Sequence, residues 1–95
     1  MAEGHAWVRQ CGSGSVAEWP LRLINILWYC HGQGDSAQIY DGLDATTGKP
    51  FLKMSGSGSE VITVALGEGA RFEHGIYVTQ SDNDDEMTFV YEPVR

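Results

Sequence analysis

Apolar residues recur at every second position along much of the chain, in short runs broken by glycine. Phe72, His74, Ile76 and Val78 alternate with Glu73, Tyr77 and Thr79. Ile62, Val64 and Leu66 alternate with Val61, Thr63 and Ala65, and Met87, Phe89 and Tyr91 share one side against Thr88 and Val90. In an extended strand successive side chains point to opposite faces, so a period of two marks a half-buried strand. With the glycine punctuation, strands are expected near residues 5–11, 21–30, 36–40, 50–54, 60–66, 72–79 and 87–91. Their inward faces predict a core of Ile62, Val64, Phe72, Ile76, Val78 and Phe89, with His74 on the same face as a structural histidine.

The stretch 21–30 breaks the rule. Ile24, Ile26, Trp28 and Cys30 occupy its even positions; Leu21, Leu23, Leu27 and Tyr29 occupy odd ones. A helix is the rival reading, but Trp28, Tyr29 and the isoleucines favour a strand. A strand apolar on both sides is expected to be covered on both sides, so Leu23, Leu27 and Tyr29 are candidates for contact with a neighbouring subunit. No segment reads as a capped amphipathic helix. The pattern predicts an all-β fold: a small antiparallel β-sandwich, jelly-roll-like, of about seven strands.

The Gly/Ser tracts at 12–15 and 55–59 read as flexible loops. The first divides residues 1–19 from a sandwich domain over 20–95. Those 19 residues are either an arm reaching a neighbour or a first strand. Trp7 fits both; Trp19, held extended before Pro20, is expected at an interface, where Trp is a favoured anchor.

Ninety-five residues make one domain with a marginal core of its own, which favours assembly. A formal charge of −7 repels phosphate backbones and anionic bilayers, and so argues against nucleic acid and membrane partners. The longest apolar stretch is too short for a transmembrane helix, and no basic-then-apolar leader opens the chain. Cys11 and Cys30 are too few for a disulfide framework, and reduced thiols are expected.

Motifs that would carry chemistry are weak. Residues 12–17 match G-x-G-x-x-A, but Pro20 follows where a helix must open to hold a pyrophosphate. Residues 42–50 imitate a phosphate loop, with one residue too many between the glycines and Pro50 in place of the hydroxyl. His5, His31 and His74 lack metal-ligand spacing, and no G-x-S-x-G elbow occurs. Residues 82–86 are dense in carboxylate and amide oxygens that hard cations prefer. Weak cation binding at Asp82, Asp84 and Asp85 is therefore weighed against a solvated turn; no other cofactor and no catalytic residue is expected.

Taken together, the apolar strand 21–30, the Ile39-Tyr40-Asp41-Gly42 strand end, Thr47-Gly48-Lys49-Pro50-Phe51, the alternating run 61–66, the Phe72…Gly75-Ile76-Tyr77-Val78 segment and the final Phe89-Val90-Tyr91-Glu92-Pro93 resemble small virion structural proteins of tailed bacteriophages. The resemblance spans residues 20–93. It implies a β-sandwich located in the virion that decorates a capsid in many copies, with the major capsid protein or tail components as partners and a homo-oligomer as the working form. It brings no catalytic residues. A tail- or neck-associated protein is the near alternative. A carbohydrate-binding sandwich, stacking sugars on Trp7, Trp19, Trp28 or Tyr40, is the other.

Overall fold

In the computed structural model, residues 6–82 and 85–93 are described. They form eight strands: β1 (Ala6–Cys11), β2 (Gly14–Ala17), β3 (Leu21–Cys30), β4 (Gln33–Asp41), β5 (Lys49–Ser57), β6 (Glu60–Phe72), β7 (Ile76–Gln80) and β8 (Glu86–Pro93). Two four-stranded antiparallel sheets result, ordered β1-β8-β3-β6 and β2-β7-β4-β5. The pairings β1·β8, β2·β7, β3·β6 and β4·β5 are nested within one another along the chain. Contacts β3·β8 and β4·β7 then close each sheet. A nested hairpin wrapped in this way into two facing sheets is a jelly roll. The sandwich is all-β, as the alternation predicts, with eight strands rather than about seven. The extra strand is β2, Gly14-Ser15-Val16-Ala17, half of which lies in the Gly/Ser tract read as a flexible loop. Ala6–Cys11 is paired along its whole length with β8.

The core lies between the sheets. Leu21, Leu23, Ile26, Trp28, Cys30, Ile39, Ile76, Val78, Met87 and Phe89 are fully buried, Phe72 nearly so, and Ile62 and Val64 pack against them half-buried. Between Leu23 and Asn25 the register of β3 shifts against both neighbours: β3 carries one extra residue opposite β8, and β6 carries the extra residues opposite β3. An extra residue flips the phase of the strand. Odd residues Leu21 and Leu23 point inward before the bulge, and even residues Ile26, Trp28 and Cys30 after it. Much of the two-sided apolarity of 21–30 is this phase change. Leu23 is therefore a core residue and not an interface residue.

The run 72–79 is also divided. Phe72 ends β6 in one sheet and Ile76 starts β7 in the other. The chain turns between them through Gly75, whose φ is 137°. A side chain there would run into the Ala17 carbonyl, so this crossing requires glycine. His74, expected in the core, lies on this turn and is exposed. Its backbone N–H and that of Glu73 donate to the Asp41 carboxylate at 2.9 and 3.0 Å, and its Nδ1 is 3.7 Å from Asp41.

Gln80 is one of two buried polar residues among the described residues, with Asp85. Its Oε1 accepts the indole N–H of Trp28 at 3.0 Å, and its Nε2 donates to the Gly12 carbonyl at 2.5 Å. Ser13 Oγ accepts the Gln80 backbone N–H at 2.8 Å. One side chain thus joins β3 of the first sheet, the end of β7 in the second, and the β1–β2 turn.

Candidate functional site

Two features stand out, one on a sheet face and one at an end of the sandwich. The first is the outer face of β1-β8-β3-β6. Strand pairing sets its side chains in rows: Trp7, Val90, Asn25 and Ala65; then Arg9, Thr88, Leu27 and Thr63; then Cys11, Glu86, Tyr29 and Val61. Trp7 is 69% exposed and Val61 60%, with Leu27 and Tyr29 also open. Four of the charges on these strands come in two opposed pairs. Arg9 lies 3.4 Å from Glu86 and Arg22 3.9 Å from Glu92. Exposed pairs of this kind add about 0–1 kcal/mol each to stability; their larger effect is to leave the face nearly neutral on a chain of charge −7.

The outer face of the second sheet differs. Gln38 aligns with Lys53 and Thr79, and Tyr40 with Tyr77, the two rings 6.3 Å apart. A shallow polar depression runs along Ser36, Gln38, Lys53, Thr79 and Ser81. The first outer face exposes Trp7, Leu27, Tyr29 and Val61, while the second combines exposed Phe51 and the Tyr40–Tyr77 pair with a polar depression.

Of the five residues expected at an interface, Trp7, Leu27 and Tyr29 share the apolar face. Trp19 is exposed in the connection from β2 to β3, where the chain crosses between sheets. Leu23 is buried. Val61, missed by sequence reading, was assigned only by alternation; its position beside Tyr29 comes from the β3·β6 register.

The second feature is a group of carboxylates. Asp35, Asp82 and Asp85 each bring an oxygen within 4.8 Å of the others. Asp35 opens β4, held by a tight turn in which Gly32 N–H donates to Asp35 Oδ2 at 3.0 Å. Asp82 and Asp85 belong to the β7–β8 connection, where Asp85 N–H donates to the Asp82 carbonyl at 3.1 Å. Asp85 is fully buried. Its Oδ1 accepts the His31 backbone N–H at 2.8 Å, and its carbonyl accepts that of Gly12 at 3.1 Å. Its Oδ2 has no hydrogen-bond partner among the described residues. Burial pushes the Asp85 carboxyl above its ordinary range; the His31 N–H opposes this, and Asp35 and Asp82 reinforce it. Asp82 and Asp85 thus come together as the oxygen-rich run suggests, while Asp84 and His5 lie outside the described residues. Asp35 was missed because it is 47 to 50 residues away in sequence.

The remaining candidates resolve into structural roles. Residues 42–48 form the β4–β5 loop, where Asp44 Oδ1 accepts from Thr46 N, Thr47 N and Thr47 Oγ1 at 3.0, 2.7 and 2.9 Å. These donors hold the Asp44 carboxyl below its ordinary range and occupy the oxygen a phosphate would need to displace. Cys11 and Cys30 are free thiols, Cys11 exposed and Cys30 buried. Burial, with the nearby Asp85 charge, pushes the Cys30 thiol up. No protein-family model, curated protein or solved structure matches the chain.

Proposed function

We propose that this chain is a structural jelly-roll protein that self-associates through the outer face of β1-β8-β3-β6, and that the assembled form decorates a bacteriophage capsid. The observation that carries the assembly reading is that face: Trp7, Leu27, Tyr29 and Val61 exposed on a surface where Arg9 pairs with Glu86 and Arg22 with Glu92. Burying such side chains is favourable at about 25 cal/mol per Å² of apolar surface. A second copy is the fitting occupant. Two faces of a −7 chain meet without repulsion only where the charge is locally balanced, and this face is balanced. The molecule extends 40 × 29 × 18 Å, so a broad face offers more than the roughly 800 Å² per partner of a standard interface. The virion placement rests on the resemblance over residues 20–93; a tail or neck location is the same reading with a different particle surface. Mass spectrometry of purified particles from a phage carrying this gene tests it. Stoichiometric protein in the particle supports the reading, and its absence overturns the virion placement.

A second reading has its own observation, the polar depression beside Tyr40 and Tyr77 on the opposite face. Ring faces with neighbouring amide, hydroxyl and ammonium groups suit a sugar. A glycan array decides it: binding abolished by Tyr40→Ala supports a carbohydrate-binding module, and an array without signal removes that reading.

A further inference from the structure

We infer that Asp35, Asp82 and Asp85 form a calcium site that clamps one end of the jelly roll. Two observations carry it independently. Three carboxylate oxygens, one from β4 and two from the β7–β8 connection, lie within 4.8 Å of one another. Asp85, fully buried, has an oxygen with no hydrogen-bond donor among the described residues. A buried carboxylate oxygen without a donor lacks what a buried anion needs: a donor or a cation.

Calcium fits this arrangement. It binds carboxylate oxygens at roughly 2.3–2.6 Å in flexible geometry, so two oxygens on one ion lie up to about 5 Å apart. Magnesium requires near-ideal octahedral geometry and keeps most of its water, which a buried ligand such as Asp85 does not accommodate well. The remaining coordination positions fall on the open side, since Asp35 and Asp82 are only partly buried.

The site sits where a cation would have structural leverage. Asp85 already holds the β1–β2 turn through Gly12 and the β3–β4 turn through His31. Asp35 lies at the start of β4, in the opposite sheet from β8. An ion shared by Asp35 and Asp85 ties the two sheets together at the end where the start of β4 meets the β7–β8 connection. The rival explanation is a proton shared between the same carboxylates. It satisfies the orphan oxygen without metal and predicts no response to calcium.

The test is thermal unfolding of dilute, chelator-stripped full-length protein at neutral pH, with calcium chloride, magnesium chloride or neither, and calorimetric titration in parallel. Dilution keeps the readout separate from self-association, so failure here leaves the assembly reading intact. A ligand confined to the native state raises the folding constant about 100-fold when present at about 100 times its Kd. Calcium is expected to raise the midpoint clearly and magnesium much less. Asp35→Asn and Asp82→Asn, both at partly exposed positions, are expected to fold and to lose most of the calcium response. A wild-type midpoint and calorimetric trace indifferent to calcium would overturn the site. So would a calcium response that survives unchanged in both variants.

Discussion

Replacing Gln80 by Met tests how the two sheets are held in register. Met is close to Gln in length but offers no donor and only a weak acceptor. The substitution strips Trp28 of the acceptor that lies 3.0 Å from its indole nitrogen, and Gly12 of the donor 2.5 Å from its carbonyl. Both partners are buried, so water does not replace what is lost. A buried polar group left unsatisfied costs about 1–3 kcal/mol. Two such groups give about 2–6 kcal/mol, less whatever the more apolar Met side chain recovers. For a domain of this size, 1 kcal/mol moves the melting temperature by roughly 4–8 °C, so a fall of more than about 8 °C is expected. Thermal unfolding followed by Trp fluorescence measures it, and urea unfolding gives the free-energy loss. The double-mutant cycle with Trp28→Phe isolates the indole bond, and a coupling energy of about 1 kcal/mol or more is expected. A loss below about 0.5 kcal/mol for Gln80→Met, or strict additivity in the cycle, would refute the view of Gln80 as the inter-sheet tie.

Three further outcomes follow from the same structure. Ile76 is fully buried, so Ile76→Ala is expected to cost about 2–5 kcal/mol in denaturant unfolding; a loss below about 1 kcal/mol would show the wrong face of β7 inside. Asp85 has a folded-state pKa raised above the ordinary value of 3.8. The protonated form is therefore favoured in the folded state, and its stabilisation is complete below that ordinary value and lost as pH rises through the raised one. Asp85 should make metal-free protein lose stability as pH rises above about 4, against the trend of Asp44, and Asp85→Asn should flatten that loss; an unchanged profile in Asp85→Asn would contradict it. Of the two thiols, Cys11 is exposed and Cys30 is buried with its pKa pushed up, so a thiol reagent should modify one site per chain under native conditions and both after unfolding. Equal rates at the two sites would place Cys30 outside the core.

The strands were legible where one face is wet and the other dry. Residues 60–66 and 87–91 show this, and their alternation survives intact in β6 and β8. Reading failed where geometry changes without a change in composition. The bulge after Leu23 shifts phase by one residue, and the switch of the polar residues from even Arg22 to odd Asn25 was the available signal. His74 keeps the period of its neighbours although the chain has already left the sheet at Phe72; Gly75 was the available signal. β2 is invisible because Gly14 and Ser15 have little strand propensity and take their order from pairing with β7. The carboxylate group was half legible. Asp82 and Asp85 sit in one oxygen-rich run, but Asp35 joins them only through the wrapping of the roll, which brings the β3–β4 and β7–β8 connections to the same end.

Sedimentation velocity across a wide concentration range, on wild type and a Leu27→Lys/Val61→Lys variant, tests the assembly face most directly. Both substituted positions point outward, so the variant should fold with wild-type circular dichroism. Wild-type protein is expected to sediment as a multiple of the 10.4 kDa chain as concentration rises, and the variant to remain monomeric, because the added ammonium groups would be desolvated in the contact. A wild-type monomer at every concentration, or a variant that assembles as the wild type does, would contradict the account.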